Sequence, residues 1–322
     1  MKEDSPSLEG VREAAARIAP FVTETPLLPA EIGGVGVRIK AECLQRGGSF
    51  KLRGASNRLM LLGAEERKRG VVAFSSGNHA IGVALAAERL AMPATIVMPS
   101  DAPAIKRERV LEAGAEIVDY VRGREPREEI AARLAKERGA ALVPSFDDVD
   151  VIEGQGSVGI EIGRQLEALG LGPPPLVVAP CGGGGLSAGI ALALPEAGIA
   201  VVEPAGWDDM ARSLDRGEIV PMPHDPPPTR CDALMTPKVS RHTFDTLMGR
   251  GAAGLAVGDE EVMEAMRFAA LRLKLVVEPG GAVALAAALA GKVKLPENAV
   301  IVVSGGNVDL DIHAGIIGGA HG

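Results

Sequence analysis

Apolar and polar positions along this chain fall into short blocks that switch between two periods. Residues 7 to 19 open with Ser7 and run on rich in Ala and Arg, which predicts a capped helix closed by Pro20. Residues 37 to 41 read as a strand. Residues 52 to 62 have helical spacing, with Gly63 after them. A unit then recurs. Residues 70 to 74 form an apolar strand, 75 to 79 a small polar loop, and 80 to 90 an apolar helix. Strands over 93–98, 116–120 and 141–144 alternate with helices over 106–113 and 127–138. The alternation resumes with a strand at 176–179, a glycine loop at 182–185, a helix at 186–194 and a strand at 199–203. Helices at 260–273 and 282–289 and a strand at 299–303 complete the reading.

Strand, loop and helix in this order imply mainly parallel open sheets with helices on both faces. Such sheets bind ligands beyond the carboxyl ends of their strands. Three small-residue loops fall at those ends: Ser75 to His79, Gly182 to Gly185, and Ser304 to Asn307. The Pro-rich stretch 221–228 reads as a surface crossing, because regular elements continue beyond it.

Composition narrows the possible chemistry. The chain has 322 residues, 41 of them Gly, and is 47% hydrophobic but only 2% aromatic, with a formal charge of −8. So few rings and an acidic balance argue against a nucleic-acid partner, which needs stacking platforms and a basic face. The first ten residues carry no apolar leader, and no apolar run is long enough for a bilayer, so a cytoplasmic location is expected. Three cysteines, Cys43, Cys181 and Cys231, lie far apart without CxxC spacing, so neither a disulfide framework nor a zinc site is expected.

Four segments could carry chemistry. Gly182, Gly183, Gly184 and Gly185 sit between a strand and a helix, where backbone amides and the helix dipole converge on an anion. The same loop fits a dinucleotide pattern: Gly183, Gly185 and Ala188 give GxGxxA, with Glu203 twenty residues beyond Gly183. A nicotinamide-dependent dehydrogenase therefore stays open on that segment alone. Lys51 stands between a Gly-rich turn and a helix, flanked by Phe50 and Leu52. Apolar neighbours can desolvate a lysine and suit it to imine formation, although an exposed lysine at a helix start has the same spelling. Ser75-Ser-Gly-Asn-His79 and Ser304-Gly-Gly-Asn307 are polar loops that ordinary turns could also explain. Taken together, a phosphate cup, a desolvated lysine and two Ser/Asn loops match what pyridoxal phosphate presents: one phosphate, one aldehyde and one ring nitrogen.

At this combination the sequence resembles the tryptophan-synthase-β-like family of pyridoxal-phosphate enzymes (fold type II), in its threonine/serine dehydratase and serine racemase branch. The motifs that carry the likeness are Lys40-Ala-Glu-Cys-Leu-Gln45, Gly48-Ser-Phe-Lys-Leu-Arg-Gly-Ala55, Ser75 to His79, the glycine loop, Glu278-Pro279 and Ser304-Gly-Gly-Asn-Val-Asp309. The resemblance implies two domains, a large one from 1–69 and 147–322 and a small one from 70–146, with the cofactor between them. It implies that Lys51 links to the cofactor and moves the α-proton, and that Phe50 and Ala233 pack on the two ring faces. Asn78 would bond the phenolic oxygen, the Gly182 to Gly185 amides the phosphate, and Ser304 the ring nitrogen; Glu278 would be a further cofactor-binding residue. Ser75, Ser76, Gly77 and His79 would take the substrate carboxylate, with Ser76 the acid/base on the face opposite Lys51 in racemase-like members.

The resemblance also implies a cation loop in Glu203-Pro-Ala-Gly-Trp-Asp-Asp209. Glu203, the Trp207 carbonyl and Asp209 would hold Mg²⁺ or Ca²⁺, as oxygen donors suit a hard cation. That reading takes Glu203 away from a nicotinamide ribose. Arg127 falls where racemase-like members place an arginine near a second substrate carboxylate, and equally reads as a solvated helix charge. Three positions depart from the pattern: Gly47 for a frequent Thr, Ala80 for Gly, and Cys231-Asp-Ala-Leu234 for Ala-Asp-Gly. The expected activity is that of an L-threonine/L-serine ammonia-lyase. Serine racemase and a 3-hydroxyaspartate dehydratase are alternatives, and a sensor that keeps the cofactor cup is a non-catalytic one. A homodimer is expected from the resemblance, and no appended regulatory domain is expected after residue 309.

Overall fold

In the computed structural model, residues 5–319 are described; residues 1–4 of the polar N-terminal stretch and 320–322 lie outside the description. Two open sheets organise the chain. Strands β1 (Leu27–Ile32), β2 (Val35–Ala41), β7 (Leu176–Pro180), β8 (Gly198–Pro204), β9 (Ala253–Val257) and β10 (Val300–Val303) form a six-stranded sheet in the order β1-β2-β10-β7-β8-β9. Only β1 and β2 run antiparallel; every other pair is parallel. Strands β3 (Val71–Phe74), β4 (Ala94–Pro99), β5 (Glu116–Tyr120) and β6 (Ala141–Leu142) form a second, wholly parallel sheet in the order β5-β4-β3-β6.

The central strands are buried along their length, as parallel strands covered on both faces must be. All four residues of β10 are inaccessible, and β4 is buried from Ala94 to Pro99. The helix Pro279–Leu289 is apolar all round and buried on every side but its last residue, so it serves as core rather than as a solvent-facing cover. Residues 260 to 273 do not form one α-helix. The helix Asp259–Phe268 gives way to a π-type turn over Ala269–Leu273, ended by Lys274 at φ +60°.

Position follows from topology. β3 leads into Ser75 to Gly77 and the helix Asn78–Arg89; β7 leads into the glycine loop and the helix Gly185–Ala193; β10 leads into Ser304. The carboxyl ends of both sheets thus open onto one cavity.

Candidate active site

The cavity measures about 560 Å³. Lys51, Phe50, Asn78, Glu278, Ala233, Ser304 and all four glycines from Gly182 to Gly185 line it. So do Ser75, Ser76, Gly77, His79 and Arg127. Residues separated by up to about 250 positions in sequence therefore meet at one place. Glu203, Trp207 and Asp209 do not line it.

Lys51 opens the helix Lys51–Met60. Its Nζ donates to the Ser145 carbonyl oxygen at 2.9 Å and sits 5.2 Å from the centre of the Phe50 ring. The residue is half-buried, and desolvation of its amine lowers its pKa to about 8. Roughly one tenth is then the neutral, nucleophilic amine at pH 7, far more than for a lysine at its ordinary 10.5. The pairing with Ser145 is a feature that no sequence motif announces.

His79 lies alongside. Its Nε2 is 2.9 Å from the Val143 carbonyl oxygen, which can only accept, so Nε2 carries the proton. Burial, reinforced by the charge of Lys51, lowers the His79 pKa to about 3. The ring is neutral at physiological pH, and its Nδ1 is a buried acceptor without a hydrogen-bond partner.

The glycine loop is shaped by close approach. A Cβ at Gly183 would stand 2.2 Å from the Phe146 ring, and Gly184 has φ +86° at the head of the helix Gly185–Ala193. Bare backbone at the first turn of a helix leaves amides free for an anion.

A polar chain runs under the cavity floor. Asn78 Nδ2 donates to Glu278, and Asn307 Nδ2 donates to Asn78 Oδ1 at 2.8 Å. Lys106, buried on the helix Ala104–Glu112, bonds Asp232 at 2.7 Å and stands 3.5 Å from Glu278 Oε2. Burial works against the Lys106 charge, but the two carboxylates outweigh it and raise its pKa. Lys106 is a site-supporting residue to which the sequence assigns no role, an ordinary polar position that only the fold brings beside Glu278; Asn307 belongs to the Ser304–Asn307 loop that the sequence singles out, but its bond to Asn78 is visible only in the fold.

Arg127 begins the helix Arg127–Arg138 on the cavity wall. Its guanidinium carbon lies 5.6 Å from the Phe74 ring centre, and its Nε pairs with Glu128 at 2.9 Å. The Glu128 bond raises its pKa against the cost of burial. Its side chain stays 28% exposed and is paired with its neighbour on the same helix.

The supposed cation loop lies apart. Glu203 Oε1 and Oε2 accept from the backbone amides of Met210 at 3.1 Å and Ala211 at 2.7 Å, in the first turn of the helix Asp209–Arg216. Both Asp209 carboxylate oxygens are buried without a well-formed hydrogen bond, although the backbone amides of Asp209 and Val239 and the Arg212 charge favour its ionised form. Burial raises the Asp209 pKa to about 7, and burial with the nearby Asp209 charge raises that of Glu203. Among the described residues no group of three or more His, Cys, Asp or Glu side chains is placed to hold a metal, so a cation here would depend on two carboxylates and a carbonyl.

Comparisons with known proteins give the family. Residues 18–305 match the family described as pyridoxal-phosphate dependent enzyme. The chain belongs to that family. An L-threo-3-hydroxyaspartate ammonia-lyase from Pseudomonas sp. is 44% identical over 97% of this chain and 99% of the relative. A serine racemase from Oryza sativa subsp. indica is 38% identical over 95% of this chain and 92% of the relative. The solved threonine deaminase from T.th. superposes with a TM-score of 0.88 at 42% identity, covering 95% of this chain and 99% of that one. The α/β architecture and the fold type II assignment hold. With Glu203 bonded to helix amides and the family established, the GxGxxA spelling at Gly183 carries no dinucleotide site. Among the described residues no helix is long and apolar enough to cross a membrane.

Proposed function

We propose that this enzyme is an ammonia-lyase for a β-hydroxy amino acid that carries a second carboxylate, L-threo-3-hydroxyaspartate. The observation that carries the choice over threonine and serine is Arg127 on the cavity wall, close to the Ser75–Gly77 loop that follows Phe74. A guanidinium there suits a second carboxylate and has no counterpart in the methyl group of threonine. The Pseudomonas relative, which bears that substrate's name, supports the same choice.

Bound pyridoxal phosphate supplies an aldehyde that joins to amines and a ring that accepts the electrons of the broken α-C–H bond. This chain's residues supply the rest. The amides of Gly182 to Gly185 hold the phosphate, Phe50 and Ala233 flank the ring, and Asn78 and Ser304 bond its polar edge. Ser75, Ser76, Gly77 and His79 take the α-carboxylate. Lys51, its pKa lowered to about 8 by burial, would accept the α-proton in its neutral form. The β-hydroxyl would leave with a proton, as water, which balances the proton taken from the α-carbon, and addition of water would then release ammonia and a 2-oxo acid. Ser304 is a hydroxyl, unable to hold the ring nitrogen charged as a carboxylate would, which favours prompt loss of the β-substituent.

The proposal includes a hard divalent cation, Mg²⁺ or Ca²⁺, on Glu203, the Trp207 carbonyl and Asp209. The two buried oxygens of Asp209, without a well-formed hydrogen bond, support it. It also includes the division into a small domain, 70–146, supported by the four-stranded sheet that β3 to β6 form within it, and a large one from 1–69 and 147–322. A cytoplasmic homodimer belongs to the same reading.

A substrate panel tests it. Purified enzyme is offered L-threo-3-hydroxyaspartate, L-threonine and L-serine, with 2-oxo acid, ammonia and D-serine measured. The hydroxyaspartate should give the highest kcat/KM. Arg127→Met should lower that value by about 10- to 100-fold, the loss expected for one hydrogen bond between charged groups, and leave serine turnover within a few-fold. Preference for threonine or serine, unaltered by Arg127→Met, overturns the substrate assignment. D-serine as the main product moves the reading to racemase with Ser76 as second base. A cofactor-loaded protein inert to all three leaves the sensor.

A further inference from the structure

The Asn78 amide can serve a cofactor oxygen in only one of its two orientations. An amide presents an acceptor on one side and two donors on the other, and a half-turn exchanges them. With Nδ2 toward the cavity Asn78 offers a donor; flipped, it would present a carbonyl to an oxygen that cannot donate.

The neighbours decide which. Asn78 Oδ1 accepts from Asn307 Nδ2 at 2.8 Å, and Asn78 Nδ2 gives one proton to Glu278. That leaves the second N–H of Asn78 for the cavity. The orientation of Asn307 is fixed in turn. Its Nδ2 also donates to the Gly47 carbonyl at 2.7 Å, which can only accept, and its Oδ1 accepts from Arg109 Nη1. A guanidinium can only donate. Asn307 is 2% exposed and Asn78 7%, so water is poorly placed to substitute for a missing partner.

The backbone holds this arrangement in register. Gly306 N donates to Gly48 O at 2.8 Å, and Ser49 bridges Gly305, so the loop after β10 is tied to the turn before Lys51. Arg109 comes from elsewhere. It lies on the helix Ala104–Glu112, between β4 and β5 of the second sheet, one turn beyond Lys106. That helix therefore acts on the Asn78 amide from both ends: Arg109 through Asn307, and Lys106 through Glu278.

We propose that Arg109 is a positioning residue that, through Asn307, sets the Asn78 amide in the orientation that donates to the cofactor's phenolic oxygen. The proposal rests on the reading that Asn78 contacts that oxygen.

The test uses holoenzyme and reads the pH midpoint of the bound cofactor's visible absorption band together with the cofactor Kd. Asn78→Ala should displace the midpoint by about one pH unit, the effect of one hydrogen bond to a charged oxygen. Arg109→Met should displace it in the same direction and weaken cofactor binding several-fold. Arg109→Lys, which keeps a donor, should restore most of both. In the Asn78→Ala background Arg109→Met should add nothing. If Asn78→Ala leaves the band unmoved, the reading of Asn78 fails. If Asn78→Ala moves it and Arg109→Met does not, or Arg109→Met adds its full shift to the double variant, the positioning role of Arg109 is overturned. Should Arg109→Met not fold, Asn307→Ser carries the same comparison, and an unshifted band in that variant overturns the proposal.

Discussion

Lys51 Nζ and the Ser145 carbonyl oxygen are 2.9 Å apart, so the catalytic candidate is held by backbone from the segment just after β6. A neutral acceptor orients an amine without stabilising its charge as a carboxylate would, and burial brings the pKa down to about 8. In cofactor-free enzyme the rate of cofactor capture should therefore rise with pH and level off above about 8, as measured by growth of the visible band after mixing. Lys51→Ala should abolish that band and reduce turnover to background. A pH-independent capture rate, or turnover that survives the substitution, contradicts the assignment.

The folded state binds Lys51's proton less tightly than the unfolded chain, whose lysine titrates near 10.5. The unfolded state thus carries more protons between about 8 and 10.5, and Lys51's burial penalty shrinks as pH rises through that window. Comparing urea midpoints of cofactor-free wild type and Lys51→Met across that range should show the wild type gaining on the variant. A constant difference between the two would contradict a depressed Lys51.

Gly183 tests the cradle. An added methyl would meet the Phe146 ring at 2.2 Å, and Phe146 follows Ser145, the partner of Lys51. Gly183→Ala should weaken cofactor binding by roughly tenfold or more, read by equilibrium titration of the visible band, since overpacking typically costs about 1–3 kcal/mol. Unchanged affinity in a folded variant would show that the loop accommodates a side chain and does not depend on bare backbone.

What is legible in the sequence follows from how local each signal is. The glycine loop, Lys51 and the Ser/Asn loops are readable because each is a short run whose chemistry depends on adjacent residues. The strands β3, β4, β7, β8 and β10 are readable as buried apolar runs between turns. The helix Val149–Ala168, the longest among the described residues, is not, because Gly154, Gly156 and Gly159 interrupt its helical spelling. Those glycines fit a close crossing instead: a Cβ at Gly156 would meet Val11 at 2.6 Å and the Gly189 carbonyl at 2.9 Å. Local propensity is overridden there by packing that only the fold creates. The hairpin strand β1 and the helices Asp209–Arg216, Arg241–Gly249 and Leu310–Ile317 also escape a reading of pattern alone, being short elements in mixed sequence. Lys106 and Arg109 stay hidden for the same reason that they matter: their partners lie about 125 to 200 residues away.

Arg53 belongs to the Gly-Ser-Phe-Lys-Leu-Arg run, but the fold gives it a structural place. It is fully buried, bonds Glu42 at 2.8 Å through Nε and Glu161 at 2.6 Å through Nη1, and Lys40 shares Glu161 at 2.6 Å. Removing one member leaves carboxylates buried without their partner. Arg53→Met should destabilise the enzyme by about 3–5 kcal/mol in denaturant titration. Arg53→Lys should restore little of it, because a single ammonium cannot replace the fork that spans two carboxylates. Stability within about 1 kcal/mol of wild type in Arg53→Met would mean the cluster is dispensable.

Asp209 and Glu203 give the cation proposal a pH signature. Burial holds the Asp209 pKa at about 7, against 3.8 for an ordinary aspartate, and Glu203 is raised as well. Between those values the folded, cation-free protein binds more protons than the unfolded chain, so its stability falls as pH rises from about 4 to 7. A divalent cation replaces the proton and removes the penalty. The melting temperature of EDTA-treated enzyme should therefore decline over that window relative to an Asp209→Asn variant, which lacks the titrating group. Adding Mg²⁺ or Ca²⁺ should raise the wild-type melting temperature, more at about pH 7.5 than at about pH 5.5, because protons compete for the same oxygens. Asp209→Asn should lose most of that response. A cation effect of equal size at both pH values, or one that survives in Asp209→Asn, would place any bound cation elsewhere and leave Glu203 as the acceptor for the Met210 and Ala211 amides alone.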